Sequence, residues 1–296
     1  MEQNQRRLQM VQWDVFTSKQ LEGNSLAVFP DARGISDLEM QSLAKEMNLS
    51  ETTFILPRDR QTELERGVRV RIFTVEEELP FAGHPTLGTA FALRKSGEPE
   101  ITLELNVGPV PVRFEDAEGQ PSFGEMRQID PAFGTIYDKK EVAEVTGLSI
   151  DDFDPELPIQ SVSTGVKFTI TPLRSLKTLQ SLSLDLRRAS DYLERRGDKF
   201  FYFVTRDTPA KATRLRARMI FYNGEDPATG SAAGCAAAWM VAHEVAQPDE
   251  RVLIEQGLEI KRPSHILVRA SRIDNRVVNV RVGGHAVEIL RGEVFL

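Results

Sequence analysis

Two stretches of the sequence decide the fold: FAGHPTLGTA, residues 81–90, and PATGSAAGCA, residues 227–236. Each leads into a segment that is apolar on nearly every side of a helix, about residues 85–96 and about residues 230–244. A helix that is hydrophobic all round is buried in a core. The sequence therefore predicts two buried helices, one in each half of the chain.

The starts of these two segments resemble each other. Setting Ala82 against Ala228 brings Gly88 and Gly234 into register, and small or apolar residues follow in both. Because buried helix starts favour small residues in any protein, this similarity leaves open both chance and an internal duplication.

The rest of the chain mixes strands and helices without a regular β-α-β rhythm. Capping patterns predict helices that open at Ser36 and Asp138, and amphipathic spacing predicts another over residues 186–196. We expect an α+β fold of two related lobes, each a β-barrel-like sheet wrapped around its central buried helix. Apolar runs and alternation predict the strands, at residues 68–73, 101–107, 110–114, 167–171, 200–205, 215–221, 251–255, 266–270 and 277–282.

The chain of 296 residues is long enough for two domains of medium size. We expect the boundary near Asp130-Pro131, which gives a first lobe of residues 1–130 and a second of residues 131–296. The last strand, about residues 286–296, could return to the first lobe.

Composition and charge narrow the class of function. The net charge of −7 argues against a general nucleic-acid binder, which usually carries a basic stripe. The densest arginine group alternates in a strand-like segment and is predicted to be a solvated strand face; it comprises Arg214, Arg216 and Arg218. Because no run approaches the about 20 apolar residues of a membrane helix, we expect no membrane partner. The first sixteen residues lack the apolar core of a signal peptide and Cys235 has no second cysteine to pair with, so a cytoplasmic enzyme is expected.

The first candidate catalytic residue is Glu51, in Asn48-Leu-Ser-Glu-Thr52. It follows a predicted helix end and precedes an apolar strand at residues 52–56. Partial desolvation at such a junction would raise the pKa of a carboxyl group toward the range useful in general acid–base chemistry. An exposed loop glutamate is the competing interpretation.

The second candidate lies in Glu78-Leu-Pro-Phe-Ala-Gly-His-Pro-Thr86. Pro85 suits the first position of a helix, and backbone N–H groups around Gly83 would form an anion site at the helix start. His84 would sit at its mouth, able to bind a ligand or to shuttle a proton. A structural histidine is the competing interpretation, and no spacing in the sequence resembles a metal site.

The third candidate is the run Gly224-Glu-Asp-Pro-Ala-Thr-Gly-Ser-Ala-Ala-Gly234, before the second buried helix. It would form a second anion cradle, with Asp226 as an acceptor and Ser231 as a donor beside it. The run is not a P-loop, and the chain lacks the glycine pattern of a dinucleotide site. An ordinary helix cap formed by Asp226 and Thr229 is the competing interpretation.

Taken in order along nearly the whole chain, these motifs resemble the phenazine-biosynthesis PhzF-like isomerase family. The two longest, Glu78 to Gly88 and Asp226 to Gly234, are the most specific. The shorter matches are Gly23-Asn24 with Ala27-Val-Phe29, Asn48 to Thr52, Gln256-Gly257, Arg262-Pro-Ser264, and Val282-Gly-Gly284 to Arg291-Gly-Glu293.

The resemblance implies a diaminopimelate-epimerase-like fold with the active site between the lobes, usually in a homodimer. It implies an isomerase that needs no metal or cofactor; the founding member isomerises a dihydro-hydroxyanthranilate. In that member the glutamate matching Glu51 relays a proton across the substrate ring, and the residues matching His84, Asp226 and Ser231 line the site. The expected substrate is a small carboxylate-bearing molecule that can be cyclic. The catalytic candidates are thus Glu51, His84 and Asp226, and the substrate-binding candidates are Gly83, Thr229, Gly230 and Ser231.

The sequence also departs from the family pattern. Ser25 stands where proline is frequent, and Asn223-Gly-Glu225 precedes Asp226 where many relatives have another run. Both departures put the substrate in doubt rather than the reaction type.

Two alternatives to a proton-shifting isomerase remain open. The first is an epimerase or racemase with bases other than cysteine, because the thiol positions of related epimerases match Ala82 and Ala228 here. Cys235 is expected two turns inside the second buried helix, as an inert core thiol. The second alternative is a non-catalytic small-molecule binder, since membership of a family does not by itself establish function.

Overall fold

The computed structural model describes residues 6–221 and 224–296. Asn223, one of the departures from the family pattern, lies outside these ranges. The chain divides into two compact units. The first runs to Met126 and also includes Gly283–Leu296, and the second is Arg127–Val282.

Strands dominate both units. The α-helices of the described residues are α1 (Asp37–Met47), α2 (Arg60–Arg66), α3 (Gly83–Leu93), α4 (Lys139–Thr146), α5 (Leu176–Gln180), α6 (Leu186–Glu194) and α7 (Gly230–Ala242). The strands are β1 (Arg7–Val15), β2 (Asn24–Phe29), β3 (Glu51–Leu56), β4 (Val68–Phe73), β5 (Glu78–Leu79), β6 (Glu100–Leu105), β7 (Gly108–Glu115), β8 (Phe123–Arg127), β9 (Ala132–Tyr137), β10 (Ile159–Ser163), β11 (Lys167–Leu173), β12 (Phe200–Thr205), β13 (Thr213–Arg218), β14 (Ile220–Phe221), β15 (Gly224–Glu225), β16 (Val252–Gln256), β17 (Ser264–Ile273), β18 (Arg276–Gly284) and β19 (Ala286–Phe295). The predicted mixture of many strands with fewer helices is confirmed.

In the first unit the strands pair in the order β19-β1-β2-β3-β4-β6-β7-β8. The pairs β2–β3 and β4–β6 are parallel, and the others are antiparallel. A parallel pair needs a crossover connection. The chain makes the first crossover through α1 and the second through α3.

The second unit repeats this alternation of pairings. Its strands follow the order β9-β10-β11-β12-β13-β16-β17-β18, with β11–β12 and β13–β16 parallel. The pairs β10–β11, β12–β13 and β16–β17 are antiparallel. Here α7 lies in the second crossover, in the position that α3 has in the first unit.

The helices α3 and α7 are buried along nearly their whole length. Nine of the 11 residues of α3 and 12 of the 13 residues of α7 are buried. Within its own unit α3 packs against β1, β2, β3, β6 and β19, and α7 packs against β10, β11 and β17. Strand contacts on several sides explain why neither helix keeps a polar stripe. Among the described residues, no helix is long and apolar enough to cross a membrane.

The predicted helix starts at Ser36 and Asp138 are confirmed. The Ser36 hydroxyl accepts from the N–H of Glu39, whose carboxylate accepts from the N–H of Ser36, which completes a capping box. The carboxylate of Asp138 accepts from the N–H groups of the first turn of α4, and α4 stops at Gly147 in the left-handed conformation.

The prediction that the arginines of β13 form a solvated face is wrong. Arg216 is 4% exposed and Arg218 is 8% exposed. Nη2 of Arg216 lies 2.6 Å from Glu259, and Arg218 binds Glu225 through Nε at 3.0 Å and Nη2 at 2.6 Å. Arg214 also pairs with a carboxylate, that of Glu250. Alternation shows which side chains share a strand face, but not whether acidic segments distant in sequence cover that face.

Candidate active site

Glu51 is the first residue of β3 and is 8% exposed. The helix α1 ends at Asn48, which turns the chain through a left-handed conformation with φ of 52°. Three residues later the chain enters β3, where Glu51 pairs with Leu26 of the parallel strand β2. This burial excludes the interpretation of Glu51 as an exposed loop residue.

His84 lies beside Glu51 in the first unit. Its Nδ1 is 3.3 Å from Oε2 of Glu51 and 3.2 Å from Nδ2 of Asn24, and the residue is 2% exposed. The prediction that Pro85 takes the first helical position is wrong, because α3 begins at Gly83 and Pro85 is its third residue. Proline is tolerated there because the N–H groups of a first turn have no acceptor within the helix.

Burial determines the charge of His84. It lowers the pKa of the imidazole from 6.5 to about 3, and a main-chain hydrogen bond with Ser25 opposes this shift. At neutral pH the contact with Glu51 therefore joins a neutral imidazole and a carboxyl group. The buried Nε2 has no hydrogen-bond partner within the described residues, and a polar atom of a ligand could provide one.

Both buried helices start without a side-chain cap. Ala82 and Thr229, at the cap positions of α3 and α7, make no side-chain hydrogen bond to the first turn. A cap formed by the Thr229 side chain, part of the competing interpretation, is therefore wrong. The N–H groups of the first turn carry the positive end of the helix dipole, so an uncapped helix start can bind an anion. These N–H groups include those of Gly83, Gly230 and Ser231. The other α-helices of the described residues are capped by Ser36, Asp59, Asp138, Ser175 and Asp185.

In the second unit a hydrogen bond joins Thr229 to Asp226. Oγ1 of Thr229 donates to Oδ2 of Asp226 at 2.7 Å, and the N–H of Thr229 donates to Oε1 of Gln256 at 3.1 Å. Both donors of Thr229 thus have protein partners, which favours a structural use of this residue. Asp226 and Ser231 are 4% and 7% exposed, so the start of α7 is largely buried.

Close packing leaves no room for a side chain at one position in each buried helix. A Cβ on Gly88 would lie 2.6 Å from Cδ2 of Leu26 and 2.7 Å from Cγ2 of Val15. A Cβ on Gly234 would lie 1.9 Å from Oε1 of Gln128. These contacts explain why glycine stands at the two positions that align when the helix starts are compared.

Sequence reasoning missed three buried amide side chains, those of Asn24, Gln128 and Gln256. Asn24 and Gln256 each stand beside a glycine in a short motif that carries the family resemblance, so a signal was present. Gln128 lies outside every motif, although its Nε2 donates to the carbonyl of Gly230 at 3.0 Å.

Cys235 lies inside α7 and is completely buried. Burial raises the pKa of its thiol to about 12, and the thiol lies 3.4 Å from the hydroxyl of Thr164. A thiol that stays protonated at neutral pH is a poor nucleophile and a poor base. The prediction that Cys235 lies in the core is confirmed.

Two groups of candidate residues are brought together, one in each unit. The first unit combines Glu51 and His84 with Gly83 at the start of α3. The second combines a carboxylate with the start of α7, through Asp226, Thr229, Gly230 and Ser231. A carboxyl group next to a neutral imidazole can exchange protons, and an uncapped helix start can bind an anion.

Comparison with known proteins places these features in a family. Residues 13–292 match the family described as Phenazine biosynthesis-like protein. A trans-2,3-dihydro-3-hydroxyanthranilate isomerase of Pseudomonas aeruginosa is 34% identical, over 96% of this chain and 98% of the relative. The crystal structure of a Bacillus anthracis phenazine biosynthesis protein of the PhzF family is 26% identical, with a TM-score of 0.87 over 98% of this chain and 100% of that one. A predicted epimerase of Pseudomonas aeruginosa is 34% identical, with a TM-score of 0.81 over 97% and 99%.

The agreement in fold and the match to a named isomerase along nearly the whole chain define an enzyme of the isomerase class. The chain belongs to the phenazine biosynthesis-like, or PhzF, family.

Proposed function

We propose that the protein shifts a proton on a small carboxylate-bearing substrate, which can be cyclic, by general acid/base catalysis through Glu51. The observation that carries this proposal is the buried contact of 3.3 Å between Glu51 and His84 at the uncapped start of α3. The proposed reaction uses no metal and no cofactor. A proton relay needs one group that accepts and then returns a proton, and a positioned carboxyl group does both.

His84 is proposed to act as a neutral partner of Glu51. Because burial keeps its pKa far below neutral pH, it cannot hold Glu51 permanently ionised as a histidinium would. A neutral imidazole can instead accept a hydrogen bond from a protonated Glu51 or donate one to the ionised form. Glu51 can then exist in both states during one turnover.

Asp226 is proposed as a further acid–base group. The start of α7 beside it offers N–H groups of Gly230 and Ser231 to a substrate carboxylate, as the start of α3 does at Gly83. Thr229 is proposed to contribute to the site through its hydrogen bond to Asp226. Its N–H and its hydroxyl already donate to Gln256 and Asp226.

The relatives support the proposed substrate class, and one departure from the family pattern bears on the choice of substrate. The 34% identical relative is named for trans-2,3-dihydro-3-hydroxyanthranilate, and we propose cyclic carboxylates of this type as the first compounds to assay. Ser25 replaces the proline frequent in the family, and its hydroxyl donates to Oδ1 of Asp14 at 2.9 Å. This side-chain hydrogen bond next to Asn24 and His84 gives a reason to vary the ring substituents.

An epimerase or racemase with bases other than cysteine is the second candidate. It is favoured by the predicted epimerase that shares 34% identity and a TM-score of 0.81 with this chain. The positions matched to the thiols of related epimerases are Ala82 and Ala228, so Glu51 would work with Asp226 or His84. Product chirality separates the candidates, because an epimerase inverts one centre and a proton-shifting isomerase moves a double bond. A non-catalytic binder would give neither product.

The test follows deuterium from solvent into the substrate by NMR. We expect wild-type protein to catalyse the exchange and Glu51→Gln to lower its rate by about 10²–10⁴, the usual contribution of a positioned acid–base group. The matched control is Glu46→Gln, which changes an exposed glutamate of α1 in the same way. Exchange by Glu51→Gln at the wild-type rate would remove Glu51 from the mechanism.

The family resemblance also leads us to propose a homodimer located in the cytoplasm. Light scattering coupled to size-exclusion chromatography tests the dimer, and a mass of about 33 kDa, that of one chain, would contradict it.

A further inference from the structure

Gln256 is a completely buried amide of the second unit, and its hydrogen-bonding capacity is fully used. Its Oε1 accepts from the N–H of Thr229 at 3.1 Å and from the hydroxyl of Tyr202 at 3.1 Å. Its Nε2 donates to the carbonyl of Asp226 at 2.8 Å and to Oγ1 of Thr229 at 2.9 Å. A side-chain amide has two donor hydrogens and an oxygen with two lone pairs, so each of the four positions is occupied.

Main-chain groups fix the orientation of this amide. The N–H of Thr229 can only donate and the carbonyl of Asp226 can only accept, so exchanging Oε1 and Nε2 would break both bonds. One Nε2 hydrogen therefore points at Oγ1 of Thr229, and the hydroxyl must direct its own hydrogen elsewhere. Its acceptor is Oδ2 of Asp226, 2.7 Å away.

We propose that Gln256 is a positioning residue that sets the carboxylate of Asp226 through the hydroxyl of Thr229. The inference rests on the proposed catalytic role of Asp226. Gln256 holds the main chain at both ends of the segment from Asp226 to Thr229, and the hydroxyl it orients holds one carboxylate oxygen. Gly257 allows this arrangement because its φ is +79° and a Cβ there would lie 2.6 Å from the carbonyl oxygen of Pro227.

The first readout needs no turnover. The infrared difference between wild type and Asp226→Asn isolates the carboxylate stretching band of Asp226. We expect Thr229→Val, which keeps the side-chain shape without the hydroxyl, and Gln256→Met to shift this band in the same direction. Thr229→Ser should restore the wild-type band. The matched control is Thr171→Val, which removes another completely buried hydroxyl of this unit and should leave the band in place.

The second readout is the rate of deuterium exchange with the compound used to test the proposed function. We expect Thr229→Val and Gln256→Met to lower kcat about tenfold or more while KM stays within about threefold, since misplacement of a catalytic group acts on the chemical step. In an Asp226→Asn background the same substitutions should lower kcat less than twofold further. If Gln256 were merely structural, the substitutions would lower kcat by the same factor in both backgrounds, and that result would overturn the inference.

The infrared result separates this inference from the proposed function. An unchanged Asp226 band in both Thr229→Val and Gln256→Met would overturn the positioning role whether or not any compound is turned over. If the band shifts while Asp226→Asn keeps full activity, the positioning of the carboxylate is supported and the catalytic role of Asp226 fails.

Discussion

The neutral state of His84 should cost the protein stability in mildly acidic solution. An unperturbed histidine has a pKa of about 6.5, whereas burial lowers that of His84 to about 3 in the folded protein. Between these values the unfolded chain binds a proton that the folded chain does not bind. The free energy of unfolding therefore falls as the pH falls through this window. Above the window His84 is neutral in both states, and the stability that depends on its neutral form is fully present.

The size of the loss follows from the width of the window. At about pH 5 the solution is about 1.5 units below the unfolded value, and each unit is worth about 1.4 kcal/mol, which gives roughly 2 kcal/mol. This is an upper limit, because a carboxylate of Glu51 at 3.3 Å would stabilise a histidinium.

Urea unfolding of wild type and His84→Asn, at about pH 7.5 and about pH 5, measures this loss. The variant removes the titrating group from both states, so the other ionisable groups largely cancel in the comparison. We expect wild type to lose up to about 2 kcal/mol more than His84→Asn. His265→Asn is the matched control for replacing a histidine with asparagine, since this side chain is 48% exposed. Equal pH dependence in wild type and His84→Asn would refute the argument.

Four further predictions test the packing and the chemistry. Glu51→Asp should lower turnover by about 10², because the shorter side chain misplaces the carboxyl group by about 1 Å; an unimpaired rate would contradict a positioned proton carrier. Cys235→Ala should leave turnover within a few-fold and cost roughly 1 kcal/mol or more in urea unfolding, and an inactive but folded variant would exclude a thiol-independent mechanism. Gly234→Ala should lower the free energy of unfolding by roughly 1–3 kcal/mol, more than Gly88→Ala does. The new Cβ at residue 234 meets the hydrogen-bonded amide of Gln128, whereas the one at residue 88 meets the ends of apolar side chains. Equal losses would contradict this packing argument. Small carboxylates should bind more tightly than their amides in calorimetric titrations if the uncapped helix starts receive an anion, and equal affinities would count against that role.

The elements that could be predicted from sequence are those fixed by neighbouring residues. The capping box at Ser36 involves residues three positions apart, and the stop at Gly147 needs one glycine in a left-handed conformation. The buried helices α3 and α7 could be recognised because their apolar residues leave no polar face. Glu51 could be placed between a helix end and a strand for the same local reason.

The features that escaped prediction depend on pairs of residues far apart in the chain. Asn24 contacts His84 across 60 positions, and Gln256 binds the carbonyl of Asp226 across 30. The burial of Arg216 likewise depends on Glu259, 43 positions away. The periodicity of one segment does not show which distant segment will cover that segment. These contacts therefore could not be derived from a single sequence.

The pairing of β1 with β19 has a consequence for protein synthesis. The two strands are antiparallel neighbours from Arg7 opposite Phe295 to Val15 opposite Ala286, and both belong to the first unit. The ribosome translates β19 only after the whole of Arg127–Val282, so a nascent chain carries Glu51 and His84 long before the strand that completes their sheet exists. The second unit is continuous in sequence and can fold as translation proceeds, whereas the first must wait with one edge of β1 unpaired. Translation pauses within residues 127–282 would prolong the time for which this edge of β1 stays unpaired.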